Sequence, residues 1–317
     1  MARVRRTILL VAACALSAAC AGDGPETGSA DADAGAGTVD AEATGAEPPA
    51  TSHQRSIVFL DVSDETTMLL PWDFENRTGT DGVQRILRGW LGRGEQWSQF
   101  ADERWVTPTT RTPWRIIPHG AARMVMGLDD VLREIYYQEG IVDLSVQPGE
   151  VFADWSGQRG DIYRLLAGTA TLSDVEYPGV VVDAYIPRAD GSGQVSEWGL
   201  LIGEGPLYVL LADVDGTGTS SAWGLRAGEE LSWPAVTLAW GETRSFERAR
   251  RDIPVLWRFR SSDGTLQGEV ESVSSHLQAV DGEGAILPVL GVYEVAGFVT
   301  VDEARVAVKG FLRHAQR

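Results

Sequence analysis

Residues 293–310 read Tyr293-Glu-Val-Ala-Gly-Phe-Val-Thr-Val301-Asp-Glu-Ala-Arg-Val306-Ala-Val308-Lys-Gly310. Tyr293, Val295, Gly297, Val299 and Val301 alternate with Glu294, Ala296, Phe298 and Thr300, and after a short turn at Asp302-Glu303 the alternation resumes at Val306, Val308 and Gly310. Successive side chains on a strand point to opposite faces, so this period marks antiparallel strands. Val255, Trp257 and Phe259 alternate in the same way with Leu256, Arg258 and Arg260. Further strand candidates are Ile57–Val62, Trp114–Ile117, Arg123–Gly127, Ile141–Val146, Ile162–Leu172, Val180–Ile186, Trp198–Ile202, Leu207–Ala212 and Val236–Trp240. Turn dipeptides recur at Asp190-Gly191, Asp215-Gly216, Asp263-Gly264 and Asp281-Gly282. Such spacing predicts a mainly β fold, an antiparallel barrel or sandwich.

Helices are expected to be few. Gln84–Leu91 and Glu95–Trp105 are read as short helices, and Leu128–Tyr137 fits either helix or strand. Two β-rich halves meet near Asp190-Gly-Ser-Gly193, which suggests an N-terminal domain over 53–190 and a C-terminal one over 191–317.

The N-terminus does different work. Arg3, Arg5 and Arg6 precede the apolar run Ile8–Leu16, and the small residues Ser17-Ala18-Ala19 lead into Cys20. A basic start, a short apolar middle and a small-residue cleavage zone make a signal peptide over 1–19. A cysteine in this place resembles the lipobox of bacterial lipoproteins, whose cysteine carries the lipid and becomes the first mature residue. Val11-Ala12-Ala13-Cys14 is an alternative lipobox, and secretion with cleavage near Ala19 or Ala21 is another reading. With Cys20 as anchor, the rest of the chain holds no cysteine, because Cys14 and Cys20 are the two present. Thiol catalysis and disulfides are then excluded from the fold. Residues 21–52 are rich in Ala, Gly, Asp, Glu, Thr and Pro and nearly devoid of large apolar side chains, so they read as an acidic tether spanning about 30 Å. The expected location is the bacterial cell envelope, on the outer membrane or periplasmic face, with the membrane reached through the lipid.

The 317 residues are 44% hydrophobic, and 45 Asp and Glu against 27 Lys and Arg give a formal charge of -18. That balance argues against a nucleic-acid partner. Val209-Leu-Leu-Ala-Asp213-Val-Asp215-Gly-Thr217 resembles the nucleophile loop of haloacid dehalogenase-type phosphatases, but Lys309 is the single lysine and no carboxylate follows it, so a hairpin turn is the preferred reading. Neither a Walker loop nor a Gly-x-Ser-x-Gly elbow occurs. His53, His119, His276 and His314 show no metal-binding spacing, so neither a metal nor a cofactor is expected.

From Glu197 onward the order is Trp198-Gly-Leu-Leu, Leu207-Tyr-Val-Leu-Leu, Glu230-Leu-Ser-Trp233, Ile253-Pro-Val-Leu-Trp257-Arg-Phe, Val292-Tyr293-Glu294 and Val308-x-Gly310-Phe-Leu-x-His314. This is similar to the lipocalin-like half of the carotenoid 1,2-hydratase (hydroxyneurosporene synthase) and AttH-type proteins. The first half lacks the Glu-Trp-Trp-Tyr segment that commonly opens that family; Glu150-Val-Phe-Ala-Asp154-Trp155 is its nearest echo. The resemblance implies two lipocalin-like β domains around an apolar cavity. Trp198, Trp223, Trp233, Trp240 and Trp257, with Tyr293, are the residues expected to line a site for an apolar or amphipathic small molecule, the alternative being that they fill the core. Should the protein be a hydratase on an isoprenoid instead, a buried acid must give a proton to the alkene. Asp183 and Glu294 are the carboxylates expected to face a β interior; a solvent-facing Asp183 and a Glu294 paired with an arginine are the alternatives. A noncatalytic component pairing with another envelope protein is the remaining reading.

Overall fold

The computed structural model describes residues 51–61, 67–79, 81–108, 120–157, 159–189, 195–213, 219–280 and 284–317. The signal peptide, Cys20, most of the tether, the Trp114–Ile117 strand, His119, the Asp190–Gly193 junction and the Asp215-Gly216 and Asp281-Gly282 turns lie outside them.

Nine strands make one antiparallel sheet: β1 (Thr51–Asp61), β2 (Met68–Gly79), β3 (Gly82–Arg93), β4 (Gln96–Thr107), β5 (Ala122–Met126), β6 (Leu132–Glu139), β7 (Val142–Ser156), β8 (Ile162–Leu172) and β9 (Val175–Ala189). Their order is β4-β3-β2-β1-β9-β8-β7-β6-β5. The sheet curls until its ends meet across the concave face, where the Tyr137 hydroxyl of β6 donates to the Phe100 carbonyl of β4 at 2.9 Å. Ile57, Phe59, Trp72, Phe74, Leu87 and Val181 fill that concavity. The remaining strands, β10 (Val195–Gly203), β11 (Leu207–Asp213), β12 (Thr219–Arg226), β13 (Glu229–Phe246), β14 (Arg251–Ser261), β15 (Leu266–Ala279), β16 (Val289–Val301) and β17 (Ala304–Gln316), close into an up-and-down barrel. β17 returns to pair with β10 over Val195–Gly203. This is the mainly β, antiparallel architecture that the alternating runs predict, and it agrees with the lipocalin-like β domains that the resemblance implies.

The expected short helices do not occur among the described residues. Gln84–Leu91 belongs to β3 and Glu95–Trp105 falls in β4 and its turn, while Leu128–Tyr137 contributes a turn and β6. The reason is burial on both faces. β3 sends Leu87 into the concave core and Trp90 into the core behind it, so apolar residues do not alternate cleanly. A bulge opposite Gly89-Trp90 leaves Phe100 as an extra residue in β4. It moves the odd-numbered residues to the other face, so Trp97 packs with the barrel and Trp105 with the concave core.

The convex face of the sheet is covered by the barrel wall. Val58, Leu60, Trp90, Trp155, Tyr163 and Leu165 from the sheet meet Trp198, Leu200, Leu210, Leu290, Val292 and Phe311 from the barrel's outside. Beside this apolar contact, Arg313 Nε of β17 donates to Asp73 Oδ2 of β2 at 2.7 Å, with the two side chains 6% and 5% exposed. Ser56 Oγ donates to the other Asp73 oxygen, and the Gln54 amide oxygen accepts from Arg313 Nε and Nη2 in the orientation that satisfies its neighbours. A polar seam continues the contact: Trp97 Nε1 donates to Ser274 Oγ at 2.9 Å, and Gln278 Nε2 donates to Asp102 Oδ2 at 2.8 Å.

Removing one partner of a buried pair leaves the other desolvated and uncompensated. Arg313→Met is expected to lower unfolding stability by about 3–5 kcal/mol, and Asp73→Asn added to it recovers part of the loss. Urea denaturation followed by tryptophan fluorescence checks both; an additive double variant would contradict the pairing.

Candidate functional site

One end of the barrel interior is polar. Leu201, Val209, Trp233, Trp257, Phe259, Val270, Val295 and Leu312 point inward, which by alternation also turns Glu197, Asp213, Tyr293 and His314 inward. All four sit where β10 and β16 begin and β11 and β17 end. Glu197 pairs in register with Asp213 on one side and His314 on the other. Its Oε1 is the focus: Trp257 Nε1 donates to it at 2.9 Å, Trp240 Nε1 at 3.0 Å, and His314 Nδ1 lies 2.8 Å away. An ionised carboxylate only accepts, so the His314 proton sits on Nδ1 and its Nε2 is turned away from Glu197.

His314 and Tyr293 are both 0% exposed, and neither His314 Nε2 nor Tyr293 Oη has a hydrogen-bond partner among the described residues. Burial raises the Tyr293 pKa, with nearby Arg244 opposing and Glu197 adding to the rise, so the phenol keeps its proton at neutral pH. Its ring lies over Gly291, which pairs with His314; a Cβ there would come within 2.6 Å of Tyr293 Cε2. The missing side chain keeps the tyrosine beside the histidine. The ring also meets Trp257 in a T-shaped contact, the centroids 5.0 Å apart. At the rim, Arg244 Nη2 donates to Ser275 Oγ at 2.9 Å. The hairpin between β13 and β14 packs Phe246, Ala249 and Ile253 on Ala279, Leu287 and Val289 to make a small roof.

The residues expected from sequence are distributed over three places. Trp240, Trp257 and Tyr293 belong to the polar barrel end. Trp233 is also inside the barrel but lies toward the other end, its Nε1 donating to Thr265 Oγ1 at 2.8 Å. Trp198 and Trp223 face outward into the contact with the first sheet, where Trp223 stands 5.4 Å from the Tyr163 ring. Asp183 faces the concave interior of the first sheet, 2% exposed, and is clamped by Arg55 through Nε at 2.7 Å and Nη2 at 2.5 Å. A carboxylate so paired is a structural ion. Glu294, expected to face an interior, lies on the outside of the barrel wall, because Tyr293 takes the inward position; it accepts from Ser274 Oγ at 2.9 Å. Asp213 ends β11 in an antiparallel pair, which is not the setting of a phosphatase loop. Glu197 and His314 are the functional candidates that sequence reasoning passed over. Their signal was the inward parity of an acid and a histidine on the first and last barrel strands.

Solved structures share this fold. The chain superposes over 83% of its length on 91% of a protein from Nitrosomonas europaea provisionally named AttH, with a TM-score of 0.54 and 11% identity. Kievitone hydratase from Nectria haematococca matches over 83% of this chain and 88% of its own, with a TM-score of 0.54 and 13% identity. CghA covers 84% and 88%, at a TM-score of 0.50 and 11% identity. No family model and no curated protein matches the sequence. The likeness is one of fold, shared with a protein named a hydratase and consistent with the lipocalin-like resemblance in the C-terminal half.

Two histidines outside the barrel interior set a pH dependence. Burial lowers the pKa of His53, which shares a 2.6 Å hydrogen bond with Tyr185, and of His276, whose ring is 6.4 Å from Trp90. The fold therefore prefers the neutral rings. Their contribution is complete above the ordinary value of 6.5 and declines as the pH falls below it. Burial raises the Glu75 pKa, but Arg77, Arg88 and Arg313 outweigh it and hold the carboxyl below 4.5, so its stabilisation persists through this interval. The unfolding midpoint is expected to drop between pH 7.5 and 5.5, and to drop less in a His53→Gln/His276→Gln double variant; equal drops in thermal melts would contradict the assignment.

Proposed function

We propose that this chain is a lipid-anchored protein of the bacterial envelope that binds an apolar or amphipathic small molecule at the polar end of its C-terminal barrel. The observation that carries the reading is the buried group around Glu197: two indoles and a histidine converge on one carboxylate oxygen at the end of a mainly apolar interior. Eight-stranded barrels have an interior just wide enough for side chains or one small ligand, and a few fixed polar groups then orient it. Trp240, Trp257 and Tyr293 supply flat apolar surface, while His314 supplies the polar contact. The anchor is Cys20, and the acidic residues after it act as a spacer.

A second reading, hydratase-like chemistry on an isoprenoid or carotenoid, is favoured by the Glu197–His314 pair. A histidine held by a carboxylate can carry a proton to or from a bound molecule, with Glu197 fixing the ring and balancing its charge. That kievitone hydratase shares the fold agrees with this reading. Asp183 is engaged by Arg55, and Glu294 lies outside the barrel, so neither is the acid in it.

Solvent extraction of the purified full chain, followed by mass spectrometry, is expected to yield a small apolar molecule that a Glu197→Leu variant, folded by circular dichroism, does not retain. An empty extract from both would argue against the site. Cells fed radioactive fatty acid should label the protein through Cys20, and a Cys20→Ala variant that still takes up label would refute that anchor.

A further inference from the structure

Resting on the barrel-site reading above, we infer that the site recognises a hydroxyl group, held between His314 Nε2 and Tyr293 Oη, on an otherwise apolar and uncharged molecule. Two polar atoms on fully buried side chains, without a partner among the described residues, occupy adjacent strands at the same end of one barrel. Buried polar groups are nearly always satisfied, so such a pair marks where a complementary group belongs. Their chemistry defines that group. With its Nδ1 proton committed to Glu197, neutral His314 offers a lone pair at Nε2 and needs a donor. As an imidazolium it carries a proton there and needs an acceptor. The Tyr293 phenol, protonated at neutral pH, donates or accepts. A hydroxyl serves Nε2 in either charge state and the phenol at the same time, whereas a carbonyl only accepts and an alkane does neither.

Charge disfavours the acidic alternative. Glu197 and Asp213, both inward and both under 5% exposed, stand in register on neighbouring strands, so a ligand carboxylate would add a third anion to this end, where the rim cation Arg244 is already bonded to Ser275. The rest of the contact is apolar, because Trp240 and Trp257 commit their N–H groups to Glu197 and have only apolar ring surface left to offer a ligand. Glu197 acts as a positioning residue: it holds the imidazole so that Nε2 points away from the wall.

The test uses the full chain and four probes of one chain length: decane, 1-decanol, decanal and decanoate, each titrated by quenching of tryptophan fluorescence. Decanol is expected to bind at least about tenfold more tightly than decane, as two hydrogen bonds to buried groups allow, and more tightly than decanal or decanoate. Tyr293→Phe removes one oxygen, and His314→Asn keeps a donor toward Glu197 while deleting Nε2. Each should erase most of the preference for decanol over decane. In ring-labelled protein, the one histidine nitrogen signal that moves with decanol should be the one missing from His314→Asn. Equal binding of decanol and decane, as when the two groups only hold a water, overturns the hydroxyl assignment and leaves the barrel site standing; so does tighter binding of decanal or decanoate. No binding of any probe by the wild-type chain overturns the barrel site itself.

Discussion

The structure depends on a barrel wall that is buried on both sides. Along β17, Phe311 faces the first sheet, Leu312 the barrel interior, Arg313 the first sheet again and His314 the interior. Four consecutive residues thus serve two cores in strict alternation, and a register slip of one place would exchange every role at once. Arg313 holds that register through Asp73: its guanidinium needs a carboxylate to leave water, and Asp73 supplies one at 2.7 Å. The 2.8 Å contact from His314 to Glu197, on the next residue and the opposite face, is aligned by the same constraint.

Seen from this wall, the site is a local exception to the apolar interior. Glu197 is tolerated there because three donors share its oxygen, and each donor comes from a different strand, β13, β14 and β17. The network therefore ties four of the barrel's strands together at this end, β10 with β13, β14 and β17. Gly291 completes it by subtraction, since the tyrosine ring takes the space a side chain would fill.

The sequence disclosed some of this and hid the rest for physical reasons. Clean alternation, as in Tyr293–Val301, belongs to strands with one wet face, and those were legible. β3 is covered on both sides and β4 carries a bulge at Phe100, so their apolar residues fell at spacings that imitate a helix. Trp198 and Leu201 were each visible as apolar strand residues, yet nothing local says which of two buried faces is the barrel's inside. Glu197 and His314 are 117 residues apart and meet because the last strand closes on the first. Closure is a property of the whole sheet and leaves no mark near either residue. Asp183 was read as inward and is inward, but the partner that neutralises it, Arg55, lies 128 residues away.

The apolar stripe on the outside of the barrel, formed by Trp198, Leu200, Leu210, Val292 and Phe311, also defines what the molecule can be divided into. A free-standing lipocalin shows water a polar exterior. This barrel does not, and the curled sheet has a matching face of its own. Severed at the connection between β9 and β10, each half would carry away an uncovered patch of the kind that drives association. The two β domains are architecturally separate but are one unit of solubility, so insertion, fusion or exchange of either half has to bring the other's surface with it.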